Sequence, residues 1–234
     1  MKKFMRRLII IVVILGLVYF VFYKKYPLFN TSHGDLFKNY QEPLDVAFVQ
    51  QMPELPRGCE VTSLAMLLNH AGVDVDKMTL SEEIHKVPFE KDGKRGNMNK
   101  GFVGDMYSFE TPGIGVYADP IYELGNRYLP GQLVNLSGKD ISDIYQKIDR
   151  GIPVWIIINA TYKPLANSEF QTWHTTNGDM KITYHMHSAV ITGYDTDHVY
   201  LNDPLADKAN KKVDRKNFEK AWKQMGSQAI SLED

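Results

Sequence analysis

Apolar and polar positions between Gly58 and Gly72 alternate with the period of a helix that packs one face against a core. Four apolar side chains carry this spacing: Val61, Leu64, Ala65 and Leu68. Gly58 interrupts the chain directly before the segment, and Gly72 has the position of the glycine that commonly follows a helix. The pattern therefore predicts a core helix whose first turn carries Cys59.

The pattern also predicts three further helices and a set of short strands. The helices begin at the capping sequence of residues 79–82, at Asp140 and at Asp214. The strands are residues 46–49, a fully apolar central strand at 153–158, an antiparallel hairpin of residues 181–194 and 198–202, and a final edge strand at 228–232. Residues 88–137 show little period and are predicted to be long loops with short helical turns that form a cleft wall, and residues 161–179 are predicted to be a polar loop. A helix followed by a mostly antiparallel sheet is typical of the α+β class.

The first 25 residues are basic, then apolar, then basic again. Six of the 27 basic residues of the chain, and none of its 28 acidic residues, lie there. The apolar run at residues 8–23 is slightly shorter than the about 20 residues of a typical spanning helix, but flanking Lys and Arg side chains can snorkel. Because more positive charge precedes the run than follows it, the N-terminus is expected inside the cell and the domain outside.

This pattern predicts an uncleaved signal anchor or transmembrane segment at residues 1–25, a polar stalk at 26–44 and one domain at 45–234. A cleaved signal peptide with a secreted domain is the alternative. Bulky aromatic residues stand where the small residues of a cleavage site would lie, and they favour the anchor.

Composition fits a globular domain and narrows its partners. Apolar residues make up 44% of the chain and charged residues 24%, as in folded proteins. The basic N-terminus leaves an acidic remainder, which argues against nucleic acid as a partner. Cys59 is the only cysteine, so the chain has no intrachain disulfide and no Cys-x-x-Cys site, and no cofactor is expected.

Two interpretations of Cys59 are open from its helix alone. On the first turn, its sulfur would lie near unpaired backbone N–H groups, which lower a thiol pKa and favour the reactive thiolate. Cysteine is also among the most buried residue types, so the same position suits an inert core residue.

His187 and Asp203 are predicted to meet at one end of the sheet. His187 begins an apolar strand, and Asp203 ends the partner strand directly before Pro204. A carboxylate there could orient an imidazole that takes a proton from a thiol. Each residue taken alone is commonly structural, so the constellation rather than either member indicates catalysis.

His185 is an alternative base, because it lies two residues from His187 on the same strand face. His185, His187 and Asp203, with His174 as a further ligand, could instead form a zinc site.

Three segments together resemble the cysteine peptidases of the bacteriocin-processing type, which belong to the papain-like clan and cleave after double-glycine leaders. They are Gly-Cys-Glu-Val-Thr-Ser-Leu-Ala-Met-Leu-Leu-Asn at 58–69, His-Ser-Ala-Val-Ile-Thr-Gly-Tyr-Asp at 187–195, and Asn-Asp-Pro at 202–204. The resemblance covers about residues 45–232 and is closer to stand-alone secreted or membrane-anchored relatives. It implies a papain-like fold with Cys59 as nucleophile, His187 as base and Asp203 as the group that orients it.

The resemblance further implies an upstream glutamine that donates to the oxyanion. Gln51 is assigned this role, and Gln50 is the neighbouring candidate, since adjacent side chains of an extended segment point to opposite sides. Residues 73–137 are an insertion relative to a minimal peptidase, so the double-glycine specificity is not carried over.

The sequence therefore predicts a membrane-anchored extracytoplasmic cysteine peptidase that hydrolyses peptide or isopeptide bonds of a peptide or protein substrate. A peptidase-like module that binds at the cell surface without turnover is the alternative.

Overall fold

The structure, a computed structural model, describes residues 42–234. The predicted signal anchor at 1–25 and most of the predicted stalk at 26–44 lie outside this range. Within it, no helix is long and apolar enough to cross a membrane.

The described residues form five α-helices, one short 3-10 helix and thirteen strands. The helices are α1 (Cys59–His70), α2 (Lys77–Glu83), α3 (Ala118–Tyr128), α4 (Ile141–Asp149) and α5 (Arg215–Gln224), and the 3-10 helix covers Asn167–Glu169. The strands are β1 (Lys86–Val87), β2 (Glu90–Lys91), β3 (Lys94–Arg95), β4 (Phe102–Gly104), β5 (Gly113–Gly115), β6 (Leu133–Asn135), β7 (Val154–Asn159), β8 (Gln171–Thr175), β9 (Gly178–Ile182), β10 (Met186–Tyr194), β11 (His198–Asn202), β12 (Lys211–Asp214) and β13 (Ala229–Leu232).

A six-stranded sheet in the order β12-β11-β10-β7-β13-β6 forms the centre of the domain. All of its pairings are antiparallel, which confirms the α+β class. Every residue of β7 is buried, as its continuous apolar run predicts. The other strands form two smaller sheets, in the orders β1-β4-β5 and β2-β3-β8-β9.

The two faces of β7 pack against different helices, because alternate side chains of a strand point to opposite sides. Trp155 and Ile157 belong to the core that contains α1, and the Trp155 indole N–H donates to the Glu60 carbonyl oxygen at 3.0 Å. Ile156 and Ile158 belong to the core that contains α4 and α5. The helix that carries Cys59 is therefore fixed on one face of the sheet.

Three of the four helix starts follow the sequence pattern. Helix α1 begins at Cys59 and is followed by Gly72 at φ +85°. Asp140 and Asp143 form a capping box on α4, and Asp214 caps α5 by accepting the Asn217 N–H at 2.8 Å. The predicted start of α2 at residue 79 is wrong, because Asp76 accepts the Thr79 N–H and starts the helix at Lys77.

Several predictions for the remaining chain are also wrong. Residues 46–49 form no strand, since their contacts are with side chains: the Asn202 amide donates to the Val46 carbonyl oxygen at 2.9 Å. The segment 161–179 is not all loop, because it contains β8 and the start of β9. The predicted strand 181–194 is divided between the end of β9 and β10, which begins at Met186. Strand β13 is not at the edge, because β6 pairs along its outer side.

The predicted loop of residues 88–137 contains helix α3. Pro120 and Gly125 interrupt its apolar period. Pro120 is the third residue of the helix, where a backbone N–H has no intrahelical acceptor, so proline is tolerated. Gly125 lets α3 approach α1 closely, since a Cβ atom there would lie 3.2 Å from Leu64 Cδ1.

Candidate active site

Cys59 and His187 are carried by two elements that pack against each other, α1 and β10. Cys59 is the first residue of α1, and the Ser188 backbone N–H of β10 lies near its sulfur and acts to lower the thiol pKa. Both side chains are buried, with 7% and 3% of their surfaces exposed, and both line a cavity of about 260 Å³. The thiol and the imidazole therefore line the same cavity.

Asp203 fixes the His187 ring from the side of β11. The His187 Nε2 atom lies 2.7 Å from Asp203 Oδ1, and both side chains are buried. Asp203 Oδ1 also accepts the Leu205 N–H at 2.9 Å, and Oδ2 accepts from Lys211 Nζ at 2.7 Å. Because Nε2 is engaged by the carboxylate, Nδ1 is the ring nitrogen left for the thiol.

Asp203 remains ionised although it is buried. Burial by itself would raise the pKa of Asp203, but the His187 hydrogen bond and charge and the Lys211 ammonium hold it well below its usual range. A carboxylate in this state can stabilise an imidazolium that forms on His187.

Lys211 and Tyr162 cover the His187–Asp203 pair. The Tyr162 ring meets the His187 ring edge-on, with 6.3 Å between centroids, and is itself buried. Lys211 Nζ lies 4.8 Å from the centre of the Tyr162 ring while it binds Asp203. These contacts exclude solvent from the pair and limit the positions that the imidazole can take.

Glu60 is a buried carboxyl group beside Cys59. Its Oε2 atom accepts from the Cys59 sulfur at 3.2 Å, and its Oε1 atom accepts the Val116 N–H at 2.9 Å. Burial raises the pKa of Glu60 to about 7, against the opposing effect of these hydrogen bonds.

The expected lowering of the thiol pKa is wrong for this arrangement. Burial, followed by the charge and hydrogen bond of Glu60, raises the pKa of the Cys59 thiol well above its ordinary value. The Ser188 N–H acts in the opposite direction but does not outweigh them. The helix N-terminus alone therefore does not produce a thiolate, and in this structure the thiol proton is directed to Glu60.

Gln51 lines the same cavity, but its amide nitrogen is already engaged. Nε2 donates to the carbonyl oxygens of Leu55 at 3.1 Å and Pro56 at 2.9 Å, and Oε1 is buried without a hydrogen-bond partner among the described residues. Exchanging the two atoms would place an oxygen against two carbonyl oxygens, so this orientation is favoured. Gln50 is turned away and donates to the Ala206 carbonyl oxygen.

The other histidines considered in the sequence have separate carboxylate partners. His185 Nε2 lies 3.0 Å from Glu169 Oε2, and His174 Nδ1 lies 2.7 Å from Asp179 Oδ1, and both histidines are exposed. The predicted alternative of a zinc site from these histidines with His187 and Asp203 is not assembled here.

Within residues 42–234, one group of three potential metal ligands converges, and it lies elsewhere. Asp195, Asp197 and His198 place ligand atoms within 4.8 Å of one another at the turn between β10 and β11. Asp195 Oδ1 accepts the backbone N–H groups of Asp197 and His198, so the needs of the turn explain the cluster.

Sequence reasoning assigned no role to Glu60, Lys211 or Tyr162. A carboxylate among the buried residues of α1 was a signal that could have singled out Glu60. Lys211 and Tyr162 reach the pair only through the folding of distant segments, and no local pattern marks them.

Comparisons with known proteins identify the family of the chain. Residues 43–230 match the model of the Peptidase_C39 like family. An uncharacterized protein, YvpB of Bacillus subtilis (strain 168), is 51% identical over 199 residues, which are 84% of this chain and 78% of YvpB. A crystal structure described as a C39-like peptidase from Bacillus anthracis is 53% identical, with a TM-score of 0.81, over 83% of this chain and 98% of that chain. The family match over most of the described domain confirms the resemblance found in the sequence, and the chain belongs to the Peptidase_C39 like family.

Proposed function

We propose that the chain is a cysteine peptidase that hydrolyses peptide or isopeptide bonds. Cys59 is its nucleophile, and His187 is its general base and acid. Asp203 orients His187 and stabilises its charged form. The observation that carries this proposal is a shared cavity lined by the only cysteine and by an imidazole bonded to a buried carboxylate. Membership of a peptidase family supports the same chemistry.

The proposed reaction follows the usual order for a thiol hydrolase. His187 Nδ1 takes the thiol proton as the Cys59 sulfur attacks the carbonyl carbon of the substrate. The C–N bond then breaks, the imidazolium gives its proton to the leaving amine, and a thioester remains. Water then loses a proton to His187 as it attacks the thioester, the C–S bond breaks, and the imidazolium returns the proton to the sulfur, which releases the acid product and restores the free thiol.

The oxyanion of this reaction would lie near the start of α1. The Cys59 backbone N–H belongs to the first turn, whose N–H groups have no intrahelical acceptor. The Gln51 amide can serve as a second donor only when it gives up one of its bonds to Leu55 or Pro56. We propose Gln51 as this second donor to the oxyanion.

Cleavage of a peptide mixture by the purified full chain tests the proposal. We expect new peptide termini, identified by mass spectrometry, that disappear with Cys59→Ala. His187→Ala is expected to slow their appearance by about 10²–10⁴-fold, the usual contribution of a general base. Wild-type protein that forms no new termini while its thiol is intact would contradict the proposal.

The alternative is a peptidase-like module that binds without turnover. The observation in its favour is the raised pKa of the Cys59 thiol beside Glu60, which keeps the nucleophile protonated in the resting site. Such a module would retain a peptide noncovalently, with the same affinity in wild type and Cys59→Ala. A peptidase would instead convert the peptide in wild type alone.

We further propose that the N-terminal segment anchors the domain to the cell membrane with the domain outside. The basic, apolar and basic order of residues 1–25 supports this placement. Protease treatment of intact cells is expected to release the domain, while a cytoplasmic control protein stays intact. Complete protection of the domain, or its recovery from the medium with a cleaved N-terminus, would contradict the anchor.

A further inference from the structure

The exposed apolar side chains of the domain are concentrated around the cavity that holds Cys59. The large hydrophobic residues exposed among the described residues are Met52, Tyr107, Phe109, Tyr184 and Leu205. Phe109, Tyr184 and Leu205, the three with the largest exposed fractions at 66%, 58% and 51%, all line the cavity. We call these three residues the apolar rim. Large apolar groups left in water around a cavity are typical of a binding site.

Two of the rim side chains are supported by aromatic or cationic neighbours. The Arg57 guanidinium lies 4.8 Å from the centre of the Phe109 ring and donates to the Ser108 carbonyl oxygen of the same loop. The Tyr184 ring meets the Trp173 ring edge-on at 6.2 Å between centroids. Both rings are exposed but restrained by these neighbours, so that binding a ligand costs little conformational entropy of the two side chains.

Leu205 links the rim to the proposed catalytic residues. Its backbone N–H donates to Asp203 Oδ1 at 2.9 Å, on the same oxygen that binds His187. The backbone of Leu205 is therefore held next to Asp203, and the residue lines the cavity. The rim comes from three separate parts of the chain: the loop between β4 and β5, the turn before β10 and the turn after β11.

The cavity offers little to a basic side chain. Its lining contains no carboxylate, Arg57 Nη1 donates to the Asp105 and Ser108 carbonyl oxygens, and His185 pairs with Glu169. A substrate ammonium would lose hydration there without gaining an ionic partner among the lining residues. An apolar side chain would instead cover the rim and gain free energy by removing apolar surface from water.

We propose that the site takes peptides with bulky apolar side chains next to the scissile bond, such as Phe, Tyr, Leu or Met. This inference rests on the proposed peptidase function. It differs from the double-glycine preference of the bacteriocin-processing peptidases that the sequence resembles, because two glycines would leave the apolar rim uncovered. The loop that carries Phe109 lies inside the long insertion of residues 73–137, which accounts for a distinct preference.

Alkylation of Cys59 by matched peptide reagents tests the preference. Acetyl-dipeptidyl chloromethyl ketones with Leu-Phe, Gly-Gly or Asp-Glu side chains are compared on the full chain, with intact mass as the readout. Each rate is divided by the rate of the same reagent with free cysteine. We expect Leu-Phe to exceed both Gly-Gly and Asp-Glu by at least about tenfold, the discrimination that a hydrophobic pocket commonly provides.

Variants of the rim locate the effect. Phe109→Ser and Tyr184→Ser are expected to lower the ratio of Leu-Phe to Gly-Gly rates, whereas Met52→Ser, an exposed hydrophobic residue outside the cavity lining, leaves it unchanged. Circular dichroism of each variant checks the fold. Equal Leu-Phe and Gly-Gly rates, or a ratio that the rim variants do not change, would overturn the inference.

Iodoacetamide separates this inference from the function on which it rests. This small reagent has no side chain for the rim, so its rate with Cys59 reports the reactivity of the thiol without a contribution from the rim. A His187-dependent iodoacetamide rate without side-chain preference would overturn the inference and leave the peptidase. Loss of the His187 dependence would overturn both.

Discussion

At the scale of single residues, the Cys59 sulfur lies between two groups with opposite effects on its proton. The Glu60 carboxyl accepts from the thiol at 3.2 Å and raises the thiol pKa, while the Ser188 N–H stabilises a thiolate. The resting thiol is therefore protonated, and in the proposed mechanism His187 takes its proton. Glu60 acts as a restraint on the nucleophile in this account.

Glu60→Gln is expected to make Cys59 more reactive at neutral pH. Glutamine keeps an acceptor for the Val116 N–H but removes the negative charge that raises the thiol pKa, so this pKa falls. The pH profile of Cys59 alkylation by iodoacetamide should therefore move to lower pH. Mass spectrometry follows the reaction without ambiguity, because Cys59 is the only cysteine.

Glu54→Gln is the matched control, because it removes the same charge from an exposed side chain that pairs with Lys77. Its alkylation profile should coincide with that of wild type. A Glu60→Gln protein that keeps its fold and reacts at the wild-type pH would show that Glu60 does not restrain the thiol.

Lys211→Met is expected to weaken both stability and reactivity. It leaves Asp203 Oδ2 buried without its ammonium partner, and such a loss costs about 1–3 kcal/mol in the free energy of unfolding. The low end of this range is expected, since 40% of the lysine side chain is exposed. Urea unfolding measures the stability, and iodoacetamide measures the reactivity.

Lys212→Met provides the comparison, because Lys212 also faces an aspartate and a tyrosine ring, at 3.9 Å from Asp195 Oδ2 and 5.7 Å from the Tyr200 ring centre. Its effect should stay within about 0.5 kcal/mol, with wild-type reactivity. Lys211→Arg should recover most of the lost reactivity. Equal effects of the two methionine variants would mean that Lys211 has no special role.

At the scale of elements, strand β5 and the start of helix α1 pack closely around the Glu60 side chain, next to Cys59. A Cβ atom on Gly115 would lie 2.2 Å from both Glu60 Oε1 and Met186 Cε, and the φ angle there is +145°. Only glycine fits this place without displacing the carboxyl group beside Cys59. The beginning of α1 and the β5 segment are therefore fitted to each other around Glu60.

Gly115→Ala is expected to destabilise the domain by about 2–4 kcal/mol, through overpacking and an unfavourable backbone angle. It should also change the Cys59 alkylation rate, because Glu60 must move. Gly131→Ala separates the two causes: its φ angle is +69°, but no atom lies within 4 Å of the added Cβ, so it should cost only about 1–2 kcal/mol.

Thermal unfolding and iodoacetamide alkylation provide the two measurements for the glycine variants. If Gly115→Ala is no more destabilising than Gly131→Ala and leaves the Cys59 rate unchanged, the close fit of β5 around Glu60 has no energetic importance.

Elements with strong local signals were predictable from the sequence. The apolar run of β7 and the caps at Asp140 and Asp214 depend on neighbouring residues, so they are readable locally. Helix α3 was missed because Pro120 and Gly125 obscure its period, and their fit is understandable only with α1 in place. Strand β13 was assigned to the edge because its outer partner, β6, comes from a distant part of the chain.

At the scale of the whole molecule, the fold brings together residues that lie far apart in the sequence. Cys59, His187 and Asp203 were found because they lie in motifs of a known family. Phe109 and Lys211 lie in segments without such motifs, and only the packed domain places one beside the cavity and the other on Asp203. The thiol pKa could not be inferred from the helix N-terminus, because burial and Glu60 outweigh it.

The alkylation rate of Cys59 in wild type, His187→Ala and His185→Ala at pH 7 tests the central claim most directly. The two histidines lie two residues apart, but His187 shares the buried pair with Asp203, whereas His185 is exposed and pairs with Glu169. We expect His187→Ala to lower the iodoacetamide rate by at least about tenfold, as loss of a general base requires, and His185→Ala to leave it within about twofold. A His187→Ala protein that keeps its fold and reacts as fast as wild type would contradict the account.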